Sequence, residues 1–172
     1  EDGVDRPDER SNWPPELVLF ELGDDPNWGG EYLVDISTVE NREAALAHVQ
    51  QMVDTCADKG FAAVEFDNLD SWTRFDDTDL EGHVPFGQDE AVAYAELLTD
   101  SAHEVGLAVG QKNTPQLGAA ISLDVIGFDF AIAEECGFYE ECPDYTDVFG
   151  ANVIVIEYTE DGFAAACDVV GD

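Results

Sequence analysis

The sequence predicts an α/β fold with parallel strands, on three observations. Five short apolar runs of strand character recur along the chain, helical segments separate them, and each run ends in polar or acidic residues. Such strands, buried on both faces and tipped with polar groups at their C-terminal ends, are the pattern of a TIM-type (β/α)8 barrel with its site on the top face. A complete barrel takes about 250 residues, with about 200 near the lower limit. The 172 residues here hold five to six βα units, so the barrel is expected to be incomplete in this chain.

Taken in order, the segment 1–30 is rich in acids and proline, and only LVLF (17–20) is apolar, so a long loop is expected. DDPNWGGE (24–31) is a Pro-Gly turn cluster, and its Trp28 either stacks on a sugar ring or caps the core. The first strand is expected over 32–36, tipped by Asp35. A helix over 41–58 follows, with Ala45, Val49, Met52, Val53 and Cys56 on one face. Gly60 ends it, and the strand AAVEFDNLD (62–70) carries Glu65, Asp67, Asn68 and Asp70. The long loop after it holds Trp72, Arg74 and a run of acids. Asp77, Asp79, Glu81 and Gly82 are similar to the opening of a calcium-binding loop, but its twelfth position is Gln88 and not the bidentate Glu. A helix over 88–104 shows Ala91, Ala95, Leu98, Ala102 and Val105 at packing spacing. LAVGQKN (107–113) ends on Lys112 and Asn113, and Thr114-Pro115 starts a short helix. FDFAIAEE (128–135) carries Glu134, NVIVIEY (152–158) carries Glu157 and Tyr158, and residues 162–170 begin one more helix. No linker or repeat divides the chain, and a single domain over 1–172 is expected.

Composition narrows the function classes. Forty acids stand against six Lys and Arg, a formal net charge of −34. Phosphate-rich nucleic acid needs cationic partners, and anionic membrane surfaces repel such a chain, so neither is an expected partner. No run approaches the length of a membrane span. The acids are spread along the whole chain, as in a heavily hydrated surface suited to high salt. Four cysteines (Cys56, Cys136, Cys142, Cys167) fit two disulfides in a secreted protein, with free buried thiols as the alternative. His48, His83 and His103 are not at ligand spacing from any cysteine, so no metal or cofactor is expected. The sequence does not indicate an oligomeric state.

Strand parity sharpens the chemistry. Asp67 and Glu65 share a face, with Phe66 opposite. Lys112, one of two lysines, sits at the next tip, and a Glu65–Lys112 ion pair beneath the site accounts for both. Glu134 shares the inward face with Ile132 and Phe130. Two inward carboxylates on different strands are what glycoside hydrolysis needs: one protonates the leaving oxygen, the other attacks the sugar carbon or activates water. The alternative is that these acids are structural caps or rim charges.

VEFDNLDSW, SAHEVGLAVGQKN, FDFAIAEECGFYEEC and VIVIEY, preceded by GGEYLVDI, together resemble glycoside hydrolase family 114, the endo-α-1,4-polygalactosaminidases. The resemblance spans 28–158 in order and spacing. It implies a TIM-type barrel that hydrolyses α-1,4-linked galactosamine polymers, with Asp67 as nucleophile, Glu134 as acid/base and a retaining outcome. It further implies a sugar site lined by Asn68, Asp70, Lys112, Asn113, Tyr139, Glu157 and Tyr158; apart from the resemblance, Trp28, Glu31, Asp35 and Glu65 are also expected on the substrate side. Cys136 and Cys142 match the paired cysteines just after the acid/base. Glu1, Asp2 and Arg6 match a family loop after the second strand, which places the first two strands and the last one outside this chain. The departures are Phe66, Ala133 and Glu135, where the family has Pro, Asn and Gln. Ala133 removes an amide beside the acid/base, which bears on strength of activity and fine specificity; a non-catalytic carbohydrate-binding relative is the rival reading, favoured if missing strands leave the barrel open.

Overall fold

The computed structural model describes residues 4–5 and 13–171. The motif at Glu1, Asp2 and Arg6 lies outside them. Strand β1 (Val4–Asp5) pairs antiparallel with β2 (Tyr32–Leu33), and an isolated bridge joins Val18 to Val34. Helix α1 (Val39–Asp58) is opened by Thr38, whose side chain accepts from the Asn41 N–H, which satisfies one of the free donors of the first turn. Strand β3 (Ala63–Phe66) leads through a long loop to α2 (Gln88–Glu104), then β4 (Ala108–Lys112) and the short α3 (Gly118–Ile121). Strand β5 (Phe130–Glu134), α4 (Cys142–Phe149), β6 (Val153–Ile156) and α5 (Glu160–Val170) complete the chain.

Strands β3, β4, β5 and β6 form one sheet in sequence order, every pair parallel. Successive parallel strands with a helix between each pair are the repeating unit of a (β/α) barrel; a doubly wound sheet would reverse its strand order. The expectation for the first strand is corrected: the segment 32–36 does not join this sheet. It pairs with β1 and Val18, its ladder groups being taken by the N-terminal loop. Four strands therefore make the parallel sheet among the described residues.

The outward face of the sheet, carrying Phe66, Val109, Gln111, Ala131 and Ala133, is buried beneath the helices, and Val109, Ala131 and Ala133 are wholly inaccessible. Ala45, Val49 and Val53 of α1 and Ala91, Ala95, Leu98 and Ala102 of α2 complete this core, the stripes expected from their spacing; Val105 instead stands exposed. The opposite face carries Glu65, Gly110, Ile132 and, on β6, Ile154 and Ile156, the last two exposed. Gly110 is required there, because a Cβ would lie 2.7 Å from the Phe130 ring that crosses it. At Gly137 a Cβ would overlap the Gly162 carbonyl, so glycine lets the loop after β5 dock on α5.

Cys136 and Cys142 form a disulfide, and the second expected bridge is absent: Cys56 and Cys167 are free thiols. Cys56 lies on α1, which leads into β3, and Cys167 on α5, which follows β6. These strands are the two edges of the sheet, so the thiols belong to opposite ends of the layer, beyond the reach of a disulfide.

Candidate active site

Three neighbouring strand ends supply the central groups: Asp67 just past β3, Lys112 at the end of β4, and Glu134 at the end of β5. Each is followed by a non-glycine residue in the left-handed region: Asn68 at φ 60°, Asn113 at 51° and Glu135 at 56°. Thr114 follows Asn113 at φ 59°, and its hydroxyl bonds the Asn113 carbonyl and does not cap the next helix. This conformation costs about 1–3 kcal/mol per residue, and such outliers cluster at functional sites. Here they turn the chain away at the strand tip while the preceding side chain stays on the inner face.

Lys112 lies between the two carboxylates. Its Nζ is 3.2 Å from Asp67 Oδ1 and 2.6 Å from Glu134 Oε2, and its side chain is only 7% exposed. The two nearer oxygens can therefore be no further apart than those two contacts laid end to end. The Glu65–Lys112 pair expected from parity is thus replaced. The ammonium turns to the tip, where two anions converge, and Glu65 stands exposed one layer below.

Other groups fix Glu134. Its backbone N–H donates to Asn113 Oδ1 at 2.9 Å, and the Tyr158 hydroxyl donates to its Oε1 at 2.5 Å. Burial works to raise the Asp67 carboxyl, yet the Lys112 charge and hydrogen bonds from Lys112 and the Asn68 N–H hold it below its ordinary value. Burial likewise opposes ionisation of Glu134, and Lys112, Tyr158 and Asn113 together hold it low. Desolvation would lower Lys112, but the two carboxylates raise it. Tyr158 is raised by its bond to Glu134 and by that residue's charge. All three central groups are therefore charged at neutral pH.

These residues open on a cleft of about 250 Å³ lined by Trp28, Glu31, Asp67, Asn68, Asp70, Lys112, Asn113, Glu134 and Arg74. Trp28 is 59% exposed at its edge and so does not cap the core. Tyr139 lines an adjoining hollow. Three residues expected at the site lie elsewhere. Asp35 accepts from the Ser37 N–H and closes a local turn. Glu65 sits lower on the sheet. Glu157 accepts from the Gly137 N–H at 2.6 Å and braces the loop after β5.

Arg74 joins the site without a motif to mark it. Its guanidinium bonds Asn68 Oδ1, lies 3.5 Å from Asp70 Oδ1, and sits 3.7 Å from Asp25 Oδ2. The buried Asp25 accepts in turn from the N–H groups of Asn27 and Trp28. Arg74 thereby ties the Trp28 loop to the end of β3. The one signal in the sequence is scarcity, since an arginine among forty acids is unusual. The acids after it do not gather a metal-ligand set; the described residues close enough to ligate together are Cys136, Cys142 and Glu157. A disulfide occupies both sulfurs of that set.

Two carboxylates on parallel strand ends either side of β4, facing one open polar cleft, define a glycosidase-type site on a barrel scaffold. The chain belongs to glycoside-hydrolase family GH114, whose profile matches residues 5–172. Among solved structures it is similar to the Aspergillus fumigatus protein Ega3, crystallised in complex with galactosamine, with a TM-score of 0.74 and 23% identity. The match covers 99% of this chain and 68% of Ega3. No curated protein shows a significant match.

Proposed function

We propose that this protein hydrolyses α-1,4-linked galactosamine polysaccharide with retention, using Asp67 as nucleophile and Glu134 as acid/base. The observation that carries the reading is Lys112 bonded to both carboxylates, at 3.2 and 2.6 Å, which limits how far apart their nearer oxygens can lie. Retaining enzymes hold their two carboxyl groups about 5–5.5 Å apart, and inverting ones about 6.5–9.5 Å to admit a water. A shared ammonium that draws the nearer oxygens together favours the shorter, retaining spacing. In the reaction Asp67 attacks the anomeric carbon while Glu134 gives a proton to the departing glycosidic oxygen. Water then enters, Glu134 takes its proton, and the glycosyl–Asp67 bond breaks. Lys112 keeps Asp67 ionised, as a nucleophile requires. Asn68, Asp70 and Asn113 supply sugar hydrogen bonds, and Trp28 supplies a ring face. Galactosamine bound to a protein of the same fold, and a formal charge of −34 that attracts an amine-bearing chain, favour this substrate.

Residues 1–172 act as one domain in this reading. The Cys136–Cys142 disulfide fits a secreted protein. No helix among the described residues is long and apolar enough to cross a membrane.

The test is hydrolysis of α-1,4-galactosamine oligomers by the wild type, Asp67→Asn and Glu134→Gln. Each variant should fold and lose about 10²–10⁴-fold in kcat, the range of a positioned acid, base or nucleophile. Undiminished turnover by Asp67→Asn would refute the assignment.

A further inference from the structure

Gln111 lies on the outward face of β4, beneath the helices, at 2% exposure. Its neighbours on that face are apolar: Phe66, Val109, Ala131 and Ala133. An amide is costly to bury there unless its polar atoms are paired. Only one end of it is: Oε1 has no partner among the described residues. Packing alone would favour a leucine or methionine of similar size. The reason for the amide therefore lies with its nitrogen.

That nitrogen donates twice, to the carbonyls of Asn113 and Thr114, both at 3.0 Å. These are the two consecutive left-handed residues after β4, at φ 51° and 59°. Such a pair persists only where its surroundings over-determine it. The Thr114 hydroxyl adds a bond to the Asn113 carbonyl at 2.6 Å. The turn so held decides where the Asn113 side chain goes. Its Oδ1 accepts from the Glu134 N–H at 2.9 Å, and its Nδ2 stands 3.5 Å from Glu134 Oε2. The other groups facing the Glu134 carboxyl are Lys112 at the end of β4 and Tyr158 beyond β6. Both amide hydrogens of Gln111 are spent on the carbonyls, so it reaches Glu134 through Asn113.

We infer that Gln111 is a positioning residue for the acid/base: its buried amide fixes the Asn113–Thr114 turn, and Asn113 in turn fixes Glu134. The acid/base role of Glu134 belongs to the hydrolase reading above, on which this rests. Asn113 is among the groups that hold Glu134 low, after Lys112 and Tyr158. A turn set free therefore lets that carboxyl rise.

The experiment reads Glu134 itself, by carbon NMR titration of the full chain with labelled glutamate carboxyls, the signal being assigned by its loss in Glu134→Gln. Gln111→Met keeps the length and bulk of the side chain and removes both donors; Gln111→Leu is a second variant of the same kind. Asn113→Gly removes the linking side chain at a φ of 51° that glycine accepts without strain. Gln111→Met should move the Glu134 titration to higher pH and lower kcat about ten- to a hundredfold, the scale of a small misplacement of a reacting group. Asn113→Gly should give a shift at least as large, and the double variant no further shift. A merely structural role would lower Tm and leave the titration where it is. An unmoved titration in folded Gln111→Met or Gln111→Leu would overturn the inference, as would an unmoved Asn113→Gly or shifts that add in the double variant. A wild type that leaves the galactosamine polymer intact, while Gln111→Met still moves the titration, would count against the hydrolase reading and leave the placement of Glu134 by Gln111 standing.

Discussion

Replacing Lys112 by methionine should destabilise the protein at neutral pH and reverse part of its response to acid. Without the ammonium, the two carboxylates it now contacts at 3.2 and 2.6 Å face each other uncompensated. Across the full span of those contacts, at an effective dielectric constant of about 20, their repulsion is about 3 kcal/mol. Their side chains are 43% and 30% exposed, and solvent screening reduces that to about 1–2 kcal/mol. Loss of the ion pairs brings the total to about 2 kcal/mol, a fall in Tm of about 4–8 °C for a domain of this size. The sign with pH follows from the directions at the site. In the wild type, Asp67 and Glu134 both lie below their ordinary values. Their contribution to stability is present above the ordinary values and is lost as pH falls through the lower native ones. In Lys112→Met, burial and like charge raise both groups, so protonation relieves the repulsion and adds stability as pH falls. Thermal melts of both proteins at pH 7 and pH 4, at one salt concentration, should show the gap between them narrowing on acidification. A gap that is constant, or wider at pH 4, would refute the account of Lys112 as the cation that holds these two acids together.

Tyr158→Phe removes a donor that keeps Glu134 low. The alkaline limb of kcat/KM should move to higher pH, with kcat down about tenfold, the scale of one lost hydrogen bond to a charged group; because Tyr158 is exposed, Tm should hardly change. Arg74→Met leaves the carboxylate of Asp25 buried without its cation, at 1% side-chain exposure. Denaturant unfolding should show a loss of about 3 kcal/mol, and KM should rise as the Trp28 loop loosens.

The legible part of this molecule is the part governed by local periodicity. The stripe Ala91, Ala95, Leu98, Ala102 places α2 at its observed bounds, because one buried face fixes a helix. Alternation along 62–67 separates Phe66 from Asp67, and the structure keeps them on opposite faces. Long-range pairing is not legible. The run 32–36 has the composition of a parallel strand, yet its hydrogen bonds go to residues in the N-terminal loop, a choice no local pattern encodes. The expected partner of Lys112 fails for a related reason. Parity puts Glu65 and Asp67 on one face but cannot say which height a flexible four-carbon side chain will reach. Arg74 acts through Asp25, remote from it in sequence; only the fold brings them together.

The charge state of Glu134 constrains where a cationic substrate can be held. An acid that must protonate a leaving oxygen needs its proton, but Lys112, Tyr158 and Asn113 already hold Glu134 low in the free protein. An ammonium placed against Glu134 would lower it further and oppose the first chemical step. The tethered polymer still gains from the charge attraction, and the sugar ring excludes water from Glu134, which favours its protonated form.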